Sequence, residues 1–311
     1  MPLALLFPGQ ASQVVGMGTE LLAASAEARH VFALADGITG IPISRLCAEG
    51  PLDRLTQTDV AQPAVVATSL AALALLGERV GVEADAVAGH SVGEFAAYVA
   101  AGVLTAENAF KLVSARAQAM ASACKTVDGA MAAVIGLDEA ALRAACAAAS
   151  DNGSSVEVAN VNSPGQLIVS GARDAIERFA AHARAAGARR ILPLNVGGPF
   201  HSVYMRPAAA TLASAIAETR FNPARIPVVL NVSAQVTQDP RALRHELEVQ
   251  VYSPVRWTET LRRLAGLGCD RFLEVGPGQV LAGLVRRTLP DAKVASFGAP
   301  GDLPAAESLI A

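Results

Sequence analysis

The sequence has few aromatic residues, few charged residues and no basic excess. Of its 311 residues, 4% are aromatic, 17% are charged and 52% are hydrophobic, and the formal net charge is -3. Without a surplus or a run of lysine and arginine, the chain lacks the electrostatic footprint of a nucleic-acid-binding protein. The high apolar content excludes a disordered chain and fits a well-buried α/β enzyme with an aliphatic core.

Cysteine is scarce, and its spacing forms no motif. The four cysteines are Cys47, Cys124, Cys146 and Cys269. No two of them form a CxxC pair, which excludes the metal and redox motifs built on that spacing. Buried thiols of this kind are typical of a reducing compartment, so we expect a cytoplasmic protein without a metal site.

The N-terminal segment does not have the pattern expected of a signal peptide. No basic segment precedes the first apolar residues, and Pro8 interrupts them, so the N-terminus is predicted to be a strand. The uncharged stretch from Val60 to Gly77 is long enough to imitate a membrane span. It contains four residues that argue against one, namely Gln62, Pro63, Thr68 and Ser69. A buried helix is the favoured interpretation, and no membrane association is expected.

What is present is an alternation of strands and helices. Apolar segments predict strands at Leu3–Phe7, Ala86–Ala88, Pro227–Val232 and Asp270–Val275, and helices at Gly93–Ala101 and Ala106–Cys124. After residue 125, the predicted elements are a strand (130–137), a helix (138–149), two strands (156–161 and 166–170), a helix (172–186) and a strand (190–194). This βαββαβ order is the ferredoxin-like pattern. We therefore predict an α/β fold, with a small domain at 125–196 inserted into a large domain made of 1–124 and 197–311.

The central chemical signal is the segment Gly89-His90-Ser91-Val92-Gly93, a GxSxG between a predicted strand and a predicted helix. Glycines on both sides of the serine relieve crowding in a sharp turn, and the hydroxyl is then held at the end of the strand. The following helix N-terminus supplies free N–H groups where an oxyanion would form. Without that context, the pattern could be an ordinary tight turn.

A serine nucleophile needs a base, and the chain has five histidines. His30, His182 and His245 lie in polar helical surroundings, and His90 adjoins the serine but should point elsewhere along the turn. His201 follows a glycine-rich loop that could return its side chain to an active site, although a structural loop histidine is equally compatible with the sequence. If its pKa is unperturbed, near 6.5, the reaction rate should fall as the pH drops through that value.

Arg116 is the most informative charged residue. It lies between Leu112 and Met120 on the apolar face of the predicted helix 106–124. A buried guanidinium is costly without an anionic partner. That partner is either an internal Asp or Glu, or the carboxylate of a substrate bound through two parallel hydrogen bonds.

Two further loops follow predicted strands. Gln10, in Phe7-Pro8-Gly9-Gln10-Ala11-Ser12-Gln13, could supply a second backbone N–H to the oxyanion. The segment Glu274-Val275-Gly276-Pro277-Gly278 lacks the lysine and spacing of a phosphate-binding loop, so we interpret it as a turn.

Together these residues resemble a known family, the malonyl-CoA:acyl carrier protein transacylases of fatty-acid and polyketide synthesis. The motifs that carry the resemblance, in the order and spacing of that family, are FPGQASQ (7–13), GHSVGE (89–94), Arg116, GAMAAVIGL (129–137), ANVNSPGQLIVSG (159–171), PFHS (199–202) and EVGPG (274–278). The resemblance covers essentially the whole chain. Ala11 departs from the family, which usually has glycine there.

The resemblance implies an α/β-hydrolase-like large domain and a role for each motif residue. Ser91 is the implied nucleophile, His201 the base, and Arg116 the ligand of the malonyl carboxylate. The remaining implied site residues are Gln10 and Val92 as oxyanion donors through their backbone N–H groups, Gln250 as the carbonyl that orients the histidine, and His90, Asn160, Asn162 and Phe200 near the substrate. Phe200 resembles the malonyl-selective form. No metal or other cofactor is implied.

The expected reaction is a ping-pong transfer of malonyl from malonyl-CoA to an acyl carrier protein, catalysed by a monomer. The pathway could be fatty-acid synthesis, a polyketide synthase served in trans, or a malonate decarboxylase. A serine hydrolase and a non-catalytic carrier-binding scaffold are the alternatives, and Arg116 argues against a simple esterase. Arg189-Arg190 and Arg286-Arg287 are candidate contacts for an acidic carrier protein.

Overall fold

The computed structural model describes residues 2–151 and 153–311 and shows an α/β protein with two sheets. The strands of the large sheet are β1 (Leu3–Phe7), β2 (Ala86–Gly89), β7 (Val228–Val229), β8 (Val236–Thr237), β9 (Arg271–Val275) and β10 (Lys293–Phe297). Those of the small sheet are β3 (Gly129–Ile135), β4 (Val156–Ser163), β5 (Gln166–Ala172) and β6 (Arg190–Pro193).

The large sheet has the strand order β10-β9-β1-β2-β7-β8, and every adjacent pair except β7 and β8 is parallel. Both faces of β1 are buried. Ala4 and Leu6 belong to a core that also contains Trp257, whereas Leu5 and Phe7 belong to the larger core on the opposite side. Parallel strands covered on both faces are uniformly apolar, which explains the short hydrophobic runs in the sequence.

Helices cover the large sheet and complete the small one. In chain order they are α1 (Thr19–Ala24), α2 (Ala26–Thr39), α3 (Ile43–Glu49), α4 (Leu52–Thr56), α5 (Thr58–Val80), α6 (Gly93–Ala100), α7 (Ala106–Ala123), α8 (Glu139–Ala149), α9 (Arg173–Ala185), α10 (Arg206–Glu218), α11 (Pro240–Val249), α12 (Trp257–Gly266), α13 (Val280–Thr288) and α14 (Leu303–Ile310). Short 3-10 turns occur at Val203–Met205, Gln250–Tyr252 and Pro300–Asp302.

Helix α5 is the stretch that imitates a membrane span. It is long and apolar enough to cross a membrane, but 83% of its most apolar window is buried inside the protein. It packs against α7, which contributes Phe110, Val113 and Met120 to the same core. The prediction of a buried helix is confirmed.

The small sheet is antiparallel, with the order β4-β5-β3-β6. One face, including Val134 and Val169, packs with α8 and α9 in a separate core. The opposite face contributes Met131, Ala133 and Ile168 to the main core. The element order β3-α8-β4-β5-α9-β6 is the βαββαβ order predicted from the sequence.

One predicted strand is too long. The sequence indicated a strand over Pro227–Val232, but β7 contains only Val228 and Val229. The chain leaves the sheet at Asn231, whose main-chain N–H donates to Glu94 Oε1 at 2.9 Å instead of continuing the strand pairing. The apolar pattern does not reveal this change of partner.

Candidate active site

Ser91 lies at the tip of a tight turn between β2 and α6. It has a left-handed backbone, with φ of 51°, which a residue with a side chain rarely adopts. A Cβ on Gly89 would lie 2.0 Å from the Gly93 carbonyl carbon, and a Cβ on Gly93 would lie 2.2 Å from the Phe7 oxygen. The two glycines predicted to relieve crowding are therefore required by the main chain itself.

His201 reaches Ser91 across 110 residues of sequence. Its Nε2 lies 2.8 Å from Ser91 Oγ, and its Nδ1 lies 3.0 Å from the main-chain oxygens of both Gln250 and Ser253. Because carbonyl oxygens only accept hydrogen bonds, Nδ1 carries the proton and Nε2 is left to accept the serine hydroxyl. The structure thus brings together the predicted pair and the predicted Gln250 carbonyl, and it adds the Ser253 carbonyl.

The ring of His201 is buried and uncharged. Burial is the largest influence on its pKa, and the neighbouring Arg116 and His90 act in the same direction, so the pKa falls to about 3. The fall in rate near pH 6.5 was expected only for an unperturbed ring. Because the pKa of His201 is lower, that value does not apply to this site. A neutral imidazole is available to accept a proton at any physiological pH.

Arg116 is 2% exposed and points at the serine. Its Nη1 donates to Gln62 Oε1 at 2.6 Å, and its Nη2 donates to Gln250 Oε1 at 2.8 Å and to Ser91 Oγ at 3.2 Å. Its Nε is buried without a hydrogen-bond partner among the described residues, and no carboxylate of that part of the chain lies within 4.0 Å. The sequence left two kinds of partner open, an internal Asp or Glu and the carboxylate of a substrate. The described residues show no ion pair between Arg116 and an internal carboxylate.

Burial lowers the pKa of the Arg116 guanidinium to about 10, and Glu94 opposes that change. The side chain therefore remains a cation near neutral pH, surrounded by amide oxygens and not by a counter-charge. An uncompensated buried cation beside a nucleophile is an environment that favours an anionic ligand.

The two predicted oxyanion donors lie in two different loops, one after β1 and one after β2. Gln10 lines the cavity beside Ser91, and Val92 is the N-cap residue of α6. Neither N–H has a hydrogen-bond acceptor in the described part of the chain. The loops meet closely, since a Cβ on Gly9 would lie 2.6 Å from the His90 oxygen. Gln10 therefore lies at the cavity, whereas Val92 is fully buried and does not line it.

His90 points away from the serine, as expected, and faces the small sheet. Its Nε2 lies 2.9 Å from Asn162 Oδ1, and its ring packs edge-on against Trp257. Burial lowers the pKa of His90. Asn160 forms a bridge with Val255, which joins β4 to the large-sheet side of the site. Both asparagines are thereby placed at the cavity.

These groups surround a cavity of about 250 Å³. The predicted residues that line it are Gln10, His90, Ser91, Arg116, Asn160, Asn162, Phe200 and His201. An apolar wall completes it, formed by Met120, Met131, Ala133, Ile168, Leu194, Val196, Val280, Leu281 and Leu284. The chamber combines the Arg116 cation, the Ser91 hydroxyl and the imidazoles of His90 and His201 with an otherwise largely apolar lining.

Three polar residues of the site were missed by the sequence analysis. Gln62 was considered only as a polar residue in an apolar stretch, yet it binds Arg116. Asn231 Oδ1 accepts from the Ser91 N–H at 2.7 Å. Glu94 is fully buried behind the turn and accepts from Asn231 Nδ2 at 2.8 Å. The glutamate of GHSVGE, a carboxylate at the start of an apolar helix, was the one available signal.

The paired arginines lie beside the cavity. Arg189, Arg190 and Arg287 line a second, more open depression of about 590 Å³. Gln166 lines both depressions and accepts a hydrogen bond from Arg287 Nη1. Arg286 is exposed on the same helix but does not line the depression. Three of the four predicted arginines are thus gathered next to the mouth of the chamber.

Comparison with known proteins agrees with this geometry. The model of the acyl transferase domain family matches residues 4–300, and the chain belongs to that family. Relatives include the malonyl CoA-acyl carrier protein transacylases of Bacillus subtilis (strain 168), 41% identical over 92% of this chain and 90% of the relative, and of Escherichia coli (strain K12), 39% identical over 98% and 99%.

Solved structures extend the comparison to the fold. An acyl carrier protein S-malonyltransferase from Vibrio cholerae aligns with a TM-score of 0.94 at 40% identity, covering 98% of this chain and all of the other. A malonyl-transacylase solved in complex with a type II polyketide synthase (PKS) acyl-carrier protein aligns with a TM-score of 0.95 at 38% identity, covering 99% of each chain.

Proposed function

We propose that the protein transfers a malonyl group from malonyl-CoA to the phosphopantetheine thiol of an acyl carrier protein, by way of a malonyl-serine intermediate. The observation that carries the proposal is the contact of Ser91 Oγ with both His201 Nε2 and a buried Arg116 that has no internal carboxylate partner among the described residues. The names of the relatives agree with this substrate and this acceptor.

In the first half-reaction, Ser91 Oγ attacks the thioester carbonyl carbon while His201 Nε2 takes the hydroxyl proton. The main-chain N–H groups of Gln10 and Val92 stabilise the negative charge that develops on the carbonyl oxygen. The C–S bond then breaks, and the leaving sulfur of coenzyme A receives the proton from the histidine. Two carbonyls hold Nδ1, and they orient the ring without a carboxylate.

In the second half-reaction the carrier thiol enters the place that coenzyme A has left and attacks the malonyl-serine ester. His201 takes the thiol proton, the sulfur attacks the malonyl carbon, and the proton returns to Ser91 Oγ as the ester bond breaks. Each step uses only side chains and main-chain groups of the protein, so the proposed reaction needs no metal or redox cofactor.

Arg116 and Phe200 are proposed to select the acyl group. The unpartnered guanidinium Nε, and the Nη2 N–H that contacts Ser91 Oγ at 3.2 Å in the free site, can bind the free carboxylate of malonyl, while the apolar wall contacts the rest of the acyl chain. Phe200 is 6% exposed and lies beside His201, where it limits the space for a branched acyl group. A chamber of about 250 Å³ holds the acyl group and the thioester but not a whole coenzyme A molecule.

The carrier protein is proposed to dock at the depression lined by Arg189, Arg190 and Arg287. Carrier proteins of this kind are acidic, and exposed guanidinium groups attract such a partner and orient its approach. Because Gln166 lines both the depression and the chamber, a carrier bound there presents its flexible arm to the chamber mouth.

The finer organisation is also a proposal. The mostly parallel sheet with a serine turn after β2 supports an α/β-hydrolase-like large domain at 1–124 and 197–311, and the strand order β4-β5-β3-β6 supports an inserted ferredoxin-like domain at 125–196. The protein is proposed to act as a cytoplasmic monomer.

The test is to incubate the protein with malonyl-CoA and to measure its intact mass. We expect one malonyl adduct, located on Ser91, that disappears when a purified holo carrier protein is added. Ser91→Ala should fold and carry no adduct. An adduct on another residue, or malonyl lost to water at the same rate with and without carrier, would refute transfer through Ser91. Running several carrier proteins side by side separates fatty-acid from polyketide partners.

A further inference from the structure

The main chain of Ser91 is fastened at both ends by side-chain amides. Its N–H donates to Asn231 Oδ1 at 2.7 Å, and its carbonyl oxygen accepts from Gln250 Nε2 at 3.0 Å. The residue is held at φ of 51°, a disfavoured conformation that persists only where the surroundings impose it. Here the side-chain amides of Asn231 and Gln250 help to impose this conformation.

Both amides are in turn bound by Glu94. Its Oε1 accepts from Asn231 N at 2.9 Å and from Asn231 Nδ2 at 2.8 Å, and its Oε2 accepts from Gln250 Nε2. An amide has one donor end and one acceptor end, so fixing the donor end fixes the other. Asn231 Nδ2 also donates to the Gly89 carbonyl at 2.6 Å, so Glu94 and that carbonyl together turn Asn231 Oδ1 toward the Ser91 N–H.

The same carboxylate also acts on the cation of the site. With Gln250 Nε2 turned toward Glu94, Gln250 Oε1 faces Arg116 Nη2 at 2.8 Å. One amide thus joins the buried carboxyl group of Glu94 to the buried cation of Arg116. No cation of the described residues lies within 4.0 Å of Glu94. Burial and the neighbouring Glu246 raise the pKa of Glu94, and the donors of Asn231 and Gln250 act in the opposite direction.

Burying a carboxylate without a direct counter-charge costs desolvation free energy, so packing alone does not explain Glu94. Glu94 is 0% exposed, and an apolar residue of similar volume would fill the same space without the desolvation cost. Among the described residues, its oxygens accept only from Asn231 and Gln250, the two residues that hold the serine. This pattern of contacts relates Glu94 to the nucleophile and not to the stability of α6.

We propose that Glu94 is a positioning residue for the nucleophile, which orients Asn231 and Gln250 so that they hold the Ser91 peptide and the Arg116 guanidinium in their reactive arrangement. The proposal rests on the function assigned to Ser91 above. Glu94 lies behind the turn and acts through the two amides without touching the substrate.

The test measures how fast a fluorophosphonate probe labels Ser91. Labelling forms an Oγ–P bond and expels fluoride, so it needs the serine and its base but no carboxylate recognition by Arg116. Glu94→Gln keeps the shape but places an N–H₂ donor against the donors of Asn231 or Gln250. We expect labelling to slow by about 10- to 100-fold, the usual effect of leaving buried hydrogen-bonding groups unmatched. Its malonyl-to-acetyl selectivity should fall as well.

Glu246→Gln is the matched control. Glu246 is also buried, at 4% exposure, and accepts from the Val232 N–H at 2.7 Å, but it binds neither side-chain amide. Its charge raises the pKa of Glu94, so replacing it with glutamine leaves Glu94 more readily ionised and does not weaken the contacts under test. This variant should label within about threefold of wild type, since surrounding contacts are kept. Circular dichroism and the melting temperature confirm that the compared variants are folded.

The outcomes separate this proposal from the proposed function. If folded Glu94→Gln labels at the wild-type rate, or if Glu246→Gln slows equally, Glu94 is not a positioning residue. If Ser91→Ala labels as fast as wild type, the assigned nucleophile is wrong instead. Should Glu94→Gln not fold, Asn231→Ala replaces it: slow labelling supports the proposal, and an unchanged rate overturns it.

Discussion

Arg116 offers the sharpest test of the proposed selectivity, because malonyl and acetyl groups differ by one carboxylate. The side chain is 2% exposed, and burial lowers the pKa of its guanidinium to about 10. That fall corresponds to a cost of roughly 3 kcal/mol for keeping the guanidinium charged in the free site. A malonyl carboxylate in the chamber would offset that cost, and an acetyl group would not.

Arg116→Ala should therefore lose about 2–5 kcal/mol of binding to the malonyl transition state, or roughly 30- to several-thousand-fold in kcat/KM. The value for acetyl-CoA should change little or rise. Arg116→Lys should behave more like alanine than like wild type, because an ammonium cannot reproduce two parallel bonds to a carboxylate. The assay is acyl transfer to a holo carrier protein with each thioester.

The ratio of the two kcat/KM values is the decisive quantity. Arg116 also contacts Ser91 Oγ at 3.2 Å, so its removal can disturb the nucleophile, but that effect acts on both substrates and cancels in the ratio. Gln62→Ala is the matched control, because it removes a partner of Arg116 and keeps the charge; we expect it to change the ratio by less than about tenfold. If Arg116→Ala lowers both substrates equally, the arginine is structural and the reasoning fails.

Three further predictions concern the base, the carrier and stability. His201→Ala should slow acylation by about 10²–10⁴-fold. Because burial and Arg116 lower the His201 pKa to about 3, the wild-type kcat/KM should stay constant down to roughly pH 5. A fall in kcat/KM centred near pH 6.5 would contradict this. Charge reversal of Arg189-Arg190, or of Arg287, should raise the carrier KM and leave acylation by malonyl-CoA alone; unchanged carrier kinetics in both would refute the docking site. Burial raises the pKa of Glu246 from 4.5 to about 7, so the free energy of unfolding should fall as pH rises across that window. Relative to wild type, Glu246→Gln should therefore gain up to about 3 kcal/mol in the free energy of unfolding at pH 8 compared with pH 4.5, measured with denaturant. If the two proteins show the same dependence of unfolding free energy on pH, this prediction is wrong.

The sequence predicted the elements of the site better than their mutual contacts. The serine turn followed from local chemistry, since glycines, strand and helix lie within a few residues of Ser91. The pairing with His201 did not, because nothing in a loop sequence states where it returns; the histidine was assigned through family resemblance. Arg116 was found because a cation on an apolar helix face is anomalous within its own helix.

Asn231 and Gln62 were beyond this kind of reasoning. Hydrophobic periodicity describes one element at a time and is silent about which amide meets which carboxylate across more than a hundred residues. The overlong strand prediction at Pro227–Val232 has the same origin, because the main chain at Asn231 leaves the sheet to bind a partner from another part of the chain.

The two walls of the chamber come from different sheets, and this affects how the acyl specificity of related enzymes can diverge by mutation. Ser91, Arg116 and the main chain behind them belong to the large-sheet layers, where a side chain on Gly89 or Gly93 has no room. Met131, Ala133 and Ile168 come from the small sheet, which carries its own separate core with α8 and α9. Mutation can therefore reshape the acyl pocket from the small sheet while the chemistry stays fixed, so related enzymes can acquire new acyl substrates without rebuilding the nucleophile.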